Sequence, residues 1–270
     1  MDETKYSELI KSIQKKRKVV IVLTVIAVIS ILLFATPTKV EILEETVIDF
    51  EGLHPVLIAV LVILCFFIEL VAYAIVSLPL NTSMEQECDP EKQLILNQHL
   101  NKQKSIEHIY AVDYLYLGDF EECIKHSENM INSDNKQMIL AGLFNKARCG
   151  FFLGENELLK ESADRYEKEL LNFEKANAKL KIAYAKISNA LILMCAISEK
   201  DTVRIQELYP SLECWNTSAA TEGFVNYIKG LSAYSVEDKE EAIYRFKLVL
   251  EKCSKTVLAK LSEEYLALLK

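Results

Sequence analysis

Tyr114-Leu115-Tyr116-Leu117-Gly118-Asp119-Phe120-Glu121-Glu122-Cys123-Ile124 is the stretch whose reading decides the fold. An aromatic-rich helical run stops at Leu117-Gly118, and a second run begins at Asp119 with acids in its first turn. Gly118 can adopt the left-handed conformation that closes a helix, because it has no Cβ to clash. Asp119 offers a short acceptor to the free amides of the next helix. Glu121 and Glu122 fall where the helix dipole favours negative charge. This spacing predicts the hinge of a helical hairpin.

The same grammar extends in both directions. Seven Gly and five Pro in 270 residues predict helices nearly throughout. After Asn81, apolar positions step by three and four, as in Ile139, Leu140, Leu143, Phe144, Ala147 and Phe151. Polar breaks at 88–90, 102–105, 117–119, 132–136, 153–156, 173–177, 198–201, 215–219, 236–238 and 253–255 cut this pattern into helix-sized pieces. Strand-like alternation is absent, so residues 81–270 read as an all-α stack.

The first 80 residues read differently. Residues 1–18 carry six Lys/Arg against three acids and end in Lys15-Lys16-Arg17-Lys18. Residues 19–35 follow, thirteen of them Val, Ile, Leu or Phe. That composition favours bilayer insertion by about 4–8 kcal/mol. A cleaved signal peptide is the rival reading, but Leu33-Phe34-Ala35 lacks the small residue two before a cleavage-site Ala. A retained first transmembrane helix is therefore expected.

Residues 36–55 hold one Lys against five acids, and their middle reads either as a small hairpin or as a surface helix. Residues 56–80 form a second apolar span, with Pro55 in its first turn and Pro79 expected at its end. The charge asymmetry keeps the basic tail in the cytoplasm and sends the acidic loop across. Residues 81–270 then return to the cytoplasm. Seven cysteines without a Cys-x-x-Cys pair suit such a reducing compartment. The expected place is a bacterial plasma membrane, with both termini cytoplasmic. A net charge of -8 argues against nucleic acid as a partner.

The hinge recurs. Leu153-Gly154-Glu155-Asn156-Glu157 repeats it, Val236-Glu237-Asp238-Lys239-Glu240-Glu241-Ala242 repeats it again, and residues 198–205 fill the same role between them. At these residues the chain resembles the tetratricopeptide-repeat family, whose repeat is a helix–turn–helix. The first repeat matches through Ala111, Tyr114, Leu117, Gly118, Asp119, Phe120 and Cys123, and the last through Gly230, Asp238, Ala242 and Phe246. Small residues there let helices approach, while Tyr114 and Phe246 fill the space between repeats. The likeness covers about 106–269 and departs in the middle, where Leu159 stands in a small-residue slot.

The resemblance implies an array whose first helices line a groove for a protein or peptide partner. Those helices offer Tyr110, Asn145, Arg148, Tyr184, Asn189, Asn226, Tyr227 and Lys229. The family's clamp for a C-terminal carboxylate is not matched, since His108 and Val112 occupy its first-repeat positions, although Asn145 fits its second-repeat slot.

Glu69 lies near the middle of the second span, where an ionisable residue is a functional candidate by default. Its expected role is packing, as a protonated acid bonded to Thr24, Ser30 or a partner helix. His54, His99, His108 and His126 show no metal-ligand spacing. No phosphate loop, Gly-x-Ser-x-Gly or His-Glu-x-x-His occurs, so no catalysis, cofactor or small-molecule substrate is expected. The expected function is a membrane-anchored scaffold or adaptor integral to the bilayer. The alternative is a small transport, signalling or immunity component in which the transmembrane hairpin and Glu69 act.

Overall fold

A computed structural model describes residues 3–35, 38–42, 45–50, 55–100, 106–173 and 178–270. His54, the break at 102–105 and most of the break at 173–177 lie outside them. The chain divides into two compact units, Asp2–Leu80 and Asn81–Lys270.

In the first unit a short 3-10 turn, Glu3–Tyr6, runs into helix α1, Ser7–Ala35. The basic tail is thus not a separate segment, since nothing between residues 7 and 19 stops the helix. Strands β1 (Thr38–Ile42) and β2 (Glu45–Phe50) then pair antiparallel, so the acidic loop is a hairpin rather than a surface helix. Val40 faces Ile48 and Glu41 faces Thr46, which leaves Val47 as a one-residue bulge.

Helix α2, Pro55–Glu85, begins at Pro55 as expected but does not end at Pro79. A proline inside a helix costs one backbone bond, about 3 kcal/mol. The helix carries on into a turn where Ser83 and Met84 are buried. Arg17 of α1 donates from Nη2 to Ser77 Oγ of α2 at 2.8 Å and lies 4.8 Å from the Tyr73 ring. Away from that contact the apolar side chains point outward, with Ile63 68% and Leu70 67% exposed.

By length and composition, two described stretches are apolar enough to cross a membrane: Leu57–Leu80 and Lys179–Glu199. The second belongs to the other unit, where Leu191, Leu193 and Met194 are buried in its core.

Among its described residues the second unit has helices joined by turns and loops, and no strand. It contains α3 (Pro90–Leu100), α4 (Glu107–Leu117), α5 (Phe120–Ile131), α6 (Lys136–Leu153), α7 (Asn156–Leu171) and α8 (Ala178–Glu199). Then come α9 (Thr202–Leu208), a 3-10 turn (Tyr209–Ser211), α10 (Ala219–Ser235), α11 (Lys239–Cys253) and α12 (Val257–Leu268). Helices adjacent in sequence pack in pairs, α4 on α5, α6 on α7, α8 on α9 and α10 on α11. Alternate helices also touch, α4 on α6, α6 on α8, α8 on α10 and α10 on α12. Finally α12 packs against α4, so this inner layer closes on itself.

Four turns share one backbone design. Gly118, Gly154, Lys200 and Glu237 all take positive φ, at 82°, 72°, 58° and 61°. The next amide in each case reaches back five residues, from Asp119 to Tyr114, Glu155 to Gly150, Asp201 to Ala196 and Asp238 to Ala233, at 2.8–3.0 Å. This is the bonding of a helix closed by one left-handed residue. Asp119, Asp201 and Asp238 then accept from the amide three residues on, at 3.0–3.3 Å, and cap the following helix. Glu155 makes no such side-chain bond.

Helix pairs approach where the sequence is small. A Cβ on Gly230 would sit 2.7 Å from the Phe246 ring, and Ala111, Cys123 and Ala242 are fully buried. Leu159 is also fully buried, and the room comes from the facing helix. A Cβ on Gly150 would meet the Leu159 amide at 2.7 Å. Tyr114 stacks on His126 with ring centres 5.5 Å apart, and Phe246 stacks on Tyr265 at 5.2 Å.

Candidate functional site

Asn145 and Arg148 stand one turn apart on α6, where the resemblance put a solvent-lined groove. Both are buried instead, at 2% and 4% exposed. The closed inner layer surrounds them. The Arg148 guanidinium lies 4.4 Å from the Phe144 ring centre, 5.3 Å from Phe224 and 5.8 Å from Tyr116. It donates from Nη2 to Asn145 Oδ1, while its Nε–H finds no acceptor. Among the described residues no carboxylate comes within ion-pair distance of it. Burial pushes the Tyr116 hydroxyl above its usual range, and that group donates to the Ala220 carbonyl at 2.7 Å.

Both residues line a cleft of about 750 Å³, together with His108 of α4, Tyr184 and Ile187 of α8, and Trp215. Trp215 belongs to the loop before α10. Lys186 holds that loop, pairing with Glu213 at 2.9 Å and donating to the Cys214 carbonyl at 3.2 Å. The indole then sits edge-on to Phe144 at 5.2 Å. Ser218 caps α10 by accepting from the Thr221 amide.

The eight residues offered by the sequence therefore do not form one surface. Asn145, Arg148 and Tyr184 line this cleft. Tyr227 is buried against Phe152 and Phe246 and lines a second cleft of about 1150 Å³. Tyr110, Asn189, Asn226 and Lys229 line neither. Tyr110 packs on His126, and Lys229 lies over the Tyr209 ring at 5.9 Å. Asn226 is engaged on both sides, accepting from Arg245 at 3.1 Å and donating to the Glu222 carbonyl.

Sequence reading missed the group that Asn226 joins. Glu241 accepts from the Tyr209 hydroxyl at 2.6 Å and from Arg245 Nε at 2.7 Å. The Tyr209 bond above all, helped by the Arg245 contacts, holds the Glu241 carboxyl below its usual value despite the opposing effect of burial. It also missed Asp113, which is fully buried with neither carboxylate oxygen bonded. Burial raises that carboxyl well above its ordinary value. One local signal marks both Arg148 and Asp113. Neither has an opposite charge three or four residues away on its own helix.

Glu69 is half-buried on α2. The two hydroxyls expected to meet it are directed elsewhere, Thr24 donating to the Val20 carbonyl and Ser30 to that of Ile26. Among the described residues no cluster of His, Cys, Asp and Glu gathers as metal donors. Cys88 and Cys253 are buried side by side, and their mutual hydrogen bond followed by burial pushes the Cys88 thiol up. No protein-family model, no curated protein and no solved structure matches the chain.

Proposed function

We propose that the protein is a membrane-held scaffold whose helical unit, residues 81–270, binds a protein or peptide partner through the Arg148 cleft. The observation that carries this reading is the cleft itself, a space of about 750 Å³ that sets a buried cation beside an aromatic wall. The outward apolar side chains of α1 and α2 support the anchor, since surfaces of that kind are stable against lipid rather than water. The tetratricopeptide-like turns support an interaction role over catalysis. In this reading both termini lie in the cytoplasm, and the anchor raises the local concentration of the cleft toward partners at the membrane.

The test is photo-crosslinking in cells from Gln137 and Thr217, both exposed residues lining the cleft, with Lys247 on α11 as control. A shared protein adduct from the two cleft positions, absent from the control, is expected. No adduct at either position, or the same adduct at all three, overturns the reading.

A further inference from the structure

We infer that the basic end of α1 carries a lysine stripe that binds the anionic headgroups of the lipid leaflet beside it. The inference rests on the membrane anchor of the reading above and concerns a second partner, bound by other residues than the Arg148 cleft. Helix α1 runs unbroken from Ser7 into the apolar stretch, so its first charges ride on a rigid rod rather than a loose tail. Ile10, Ile13 and Arg17 recur by three and four and share one face, on which Ile10 and Ile13 are buried. Arg17 donates to Ser77 and covers the Tyr73 ring, both on α2, and this contact sets how α1 is rotated. Lys11, Lys15 and Lys18 recur by four and three on the opposite face, with Lys16 flanking them. All four lysines are exposed, and among the described residues none has a carboxylate partner. Glu8 lies a turn before Lys11, and no further acid occurs until Glu41. One acid against four exposed lysines leaves the stripe positive.

The position of the stripe selects its counter-ion. Lys18 adjoins Val19, the first residue of the apolar stretch. At about 1.5 Å of rise per residue, Lys15 lies only about 4.5 Å along the helix from Lys18. The headgroup layer on each side of the hydrocarbon is about 5–7 Å deep. Lys15, Lys16 and Lys18 therefore fall inside that layer when the apolar stretch fills the hydrocarbon. Lys11 stands about 10 Å out, close to one Debye length, and its long stem reaches back toward the surface. An acidic protein would have to displace lipid to meet the first three lysines, whereas lipid phosphates already lie at their level. An ammonium is a compact point charge that suits a phosphodiester. A zwitterionic headgroup brings its own cation beside the phosphate, so a headgroup with net negative charge is the better ligand.

The test places the purified full-length chain in mixed vesicles of phosphatidylcholine and phosphatidylglycerol. Electron spin resonance of spin-labelled versions of the two lipids then measures how strongly each associates with the protein. The anionic lipid is expected to be preferred roughly fivefold, the gain from one lysine near a charged surface. The preference falls toward one in about 1 M NaCl, where the Debye length is about 3 Å. It is lost in the variant K11Q/K15Q/K16Q/K18Q and kept when the same four lysines become Arg. It is also kept when Lys181, Lys239, Lys247 and Lys260, four exposed lysines of the helical unit, are changed to Gln instead. Equal association of the two lipids, a preference that survives the first variant, or one lost equally in the helical-unit control overturns the inference. So does its loss to inorganic phosphate but not to NaCl at the same ionic strength, because the site then belongs to a free anion. A chain that washes out of the vesicles in alkaline carbonate overturns the anchor reading and this inference together. A chain that stays in and shows no preference overturns this inference alone.

Discussion

Cys88 and Cys253 lie with their Sγ atoms 2.7 Å apart, although 165 residues separate them in sequence. One precedes α3 and the other ends α11, so the contact fastens the start of the helical unit to its finish. Lys255 adds an ion pair to Asp89 at 2.7 Å beside it. Treatment with diamide, which oxidises paired thiols, should join the two cysteines with loss of one hydrogen from each. The crosslinked peptide is read by mass spectrometry after digestion. Because the Cys88 thiol is held protonated, the reaction should be slow at neutral pH and faster in alkali. Failure to crosslink in alkali would contradict the contact.

Two glycines in equivalent turns should respond differently to alanine. At Gly154 the added methyl meets open space, so Gly154→Ala loses only the left-handed strain, about 1–2 kcal/mol. At Gly118 the Cβ also lies 3.1 Å from Val257 Cγ2, and the loss should be larger. Conversely, Lys200→Gly and Glu237→Gly relieve strain already present and should stabilise by a few tenths to about 1 kcal/mol. Denaturant melts of the four variants check the order.

Asp113 should make the helical unit less stable as pH rises. Its folded carboxyl titrates well above its ordinary value of 3.8, so between those values the unfolded chain binds fewer protons. Stability then falls with increasing pH, by up to about 1.4 kcal/mol per unit. Asp113→Asn should flatten that slope. Glu241 works in the opposite sense, since its pKa is lowered from 4.5 and its contribution is lost as pH falls below that value. Melting temperatures of wild type and Asp113→Asn from pH 4 to 8 decide the point.

Arg148→Met should raise stability while removing function. The guanidinium is buried without a counter-charge, and replacing buried ionic groups by apolar ones of similar volume gains about 1–4 kcal/mol in known cases. A higher melting temperature together with lost crosslinks from Gln137 is the expected pair of results. A strong drop in stability would show that the cation serves the core.

Orientation should be readable from introduced cysteines, since native Cys88 is fully buried and unsuitable for labelling. With Cys195 and Cys214 changed to Ser, a Lys270→Cys variant should react with a membrane-impermeant maleimide only after cells are opened. Glu45→Cys, in the β1–β2 hairpin, should react in intact cells. The reverse pattern inverts the proposed topology.

The helical hairpins were legible because their signals are local. Gly118 and Asp119 state a helix stop and a helix start within two residues, and Asp201 and Asp238 mark the same turn even though Lys200 and Glu237 replace the glycine. Pro79 misled because its cost is fixed, whereas the burial of Ser83 and Met84 that accompanies the continued helix is not visible in the span's own pattern. The cleft was half legible. The family resemblance points to Asn145 and Arg148 as groove residues, but their burial depends on α10 and on Trp215, some 70 residues downstream. Nothing local to α4 announces that α12 will pack against it.

That last contact sets the order in which the molecule can be made. In an open stack each repeat rests only on its neighbours, so folding can spread along the chain as it leaves the ribosome. Here α4 is missing a neighbour until α12 exists, and Cys88 waits for Cys253. Long-range joints of this kind slow folding. The leading helices of the unit must therefore persist half-covered through most of translation, and a chain that stops a few dozen residues early lacks the far wall of its own first helix pair.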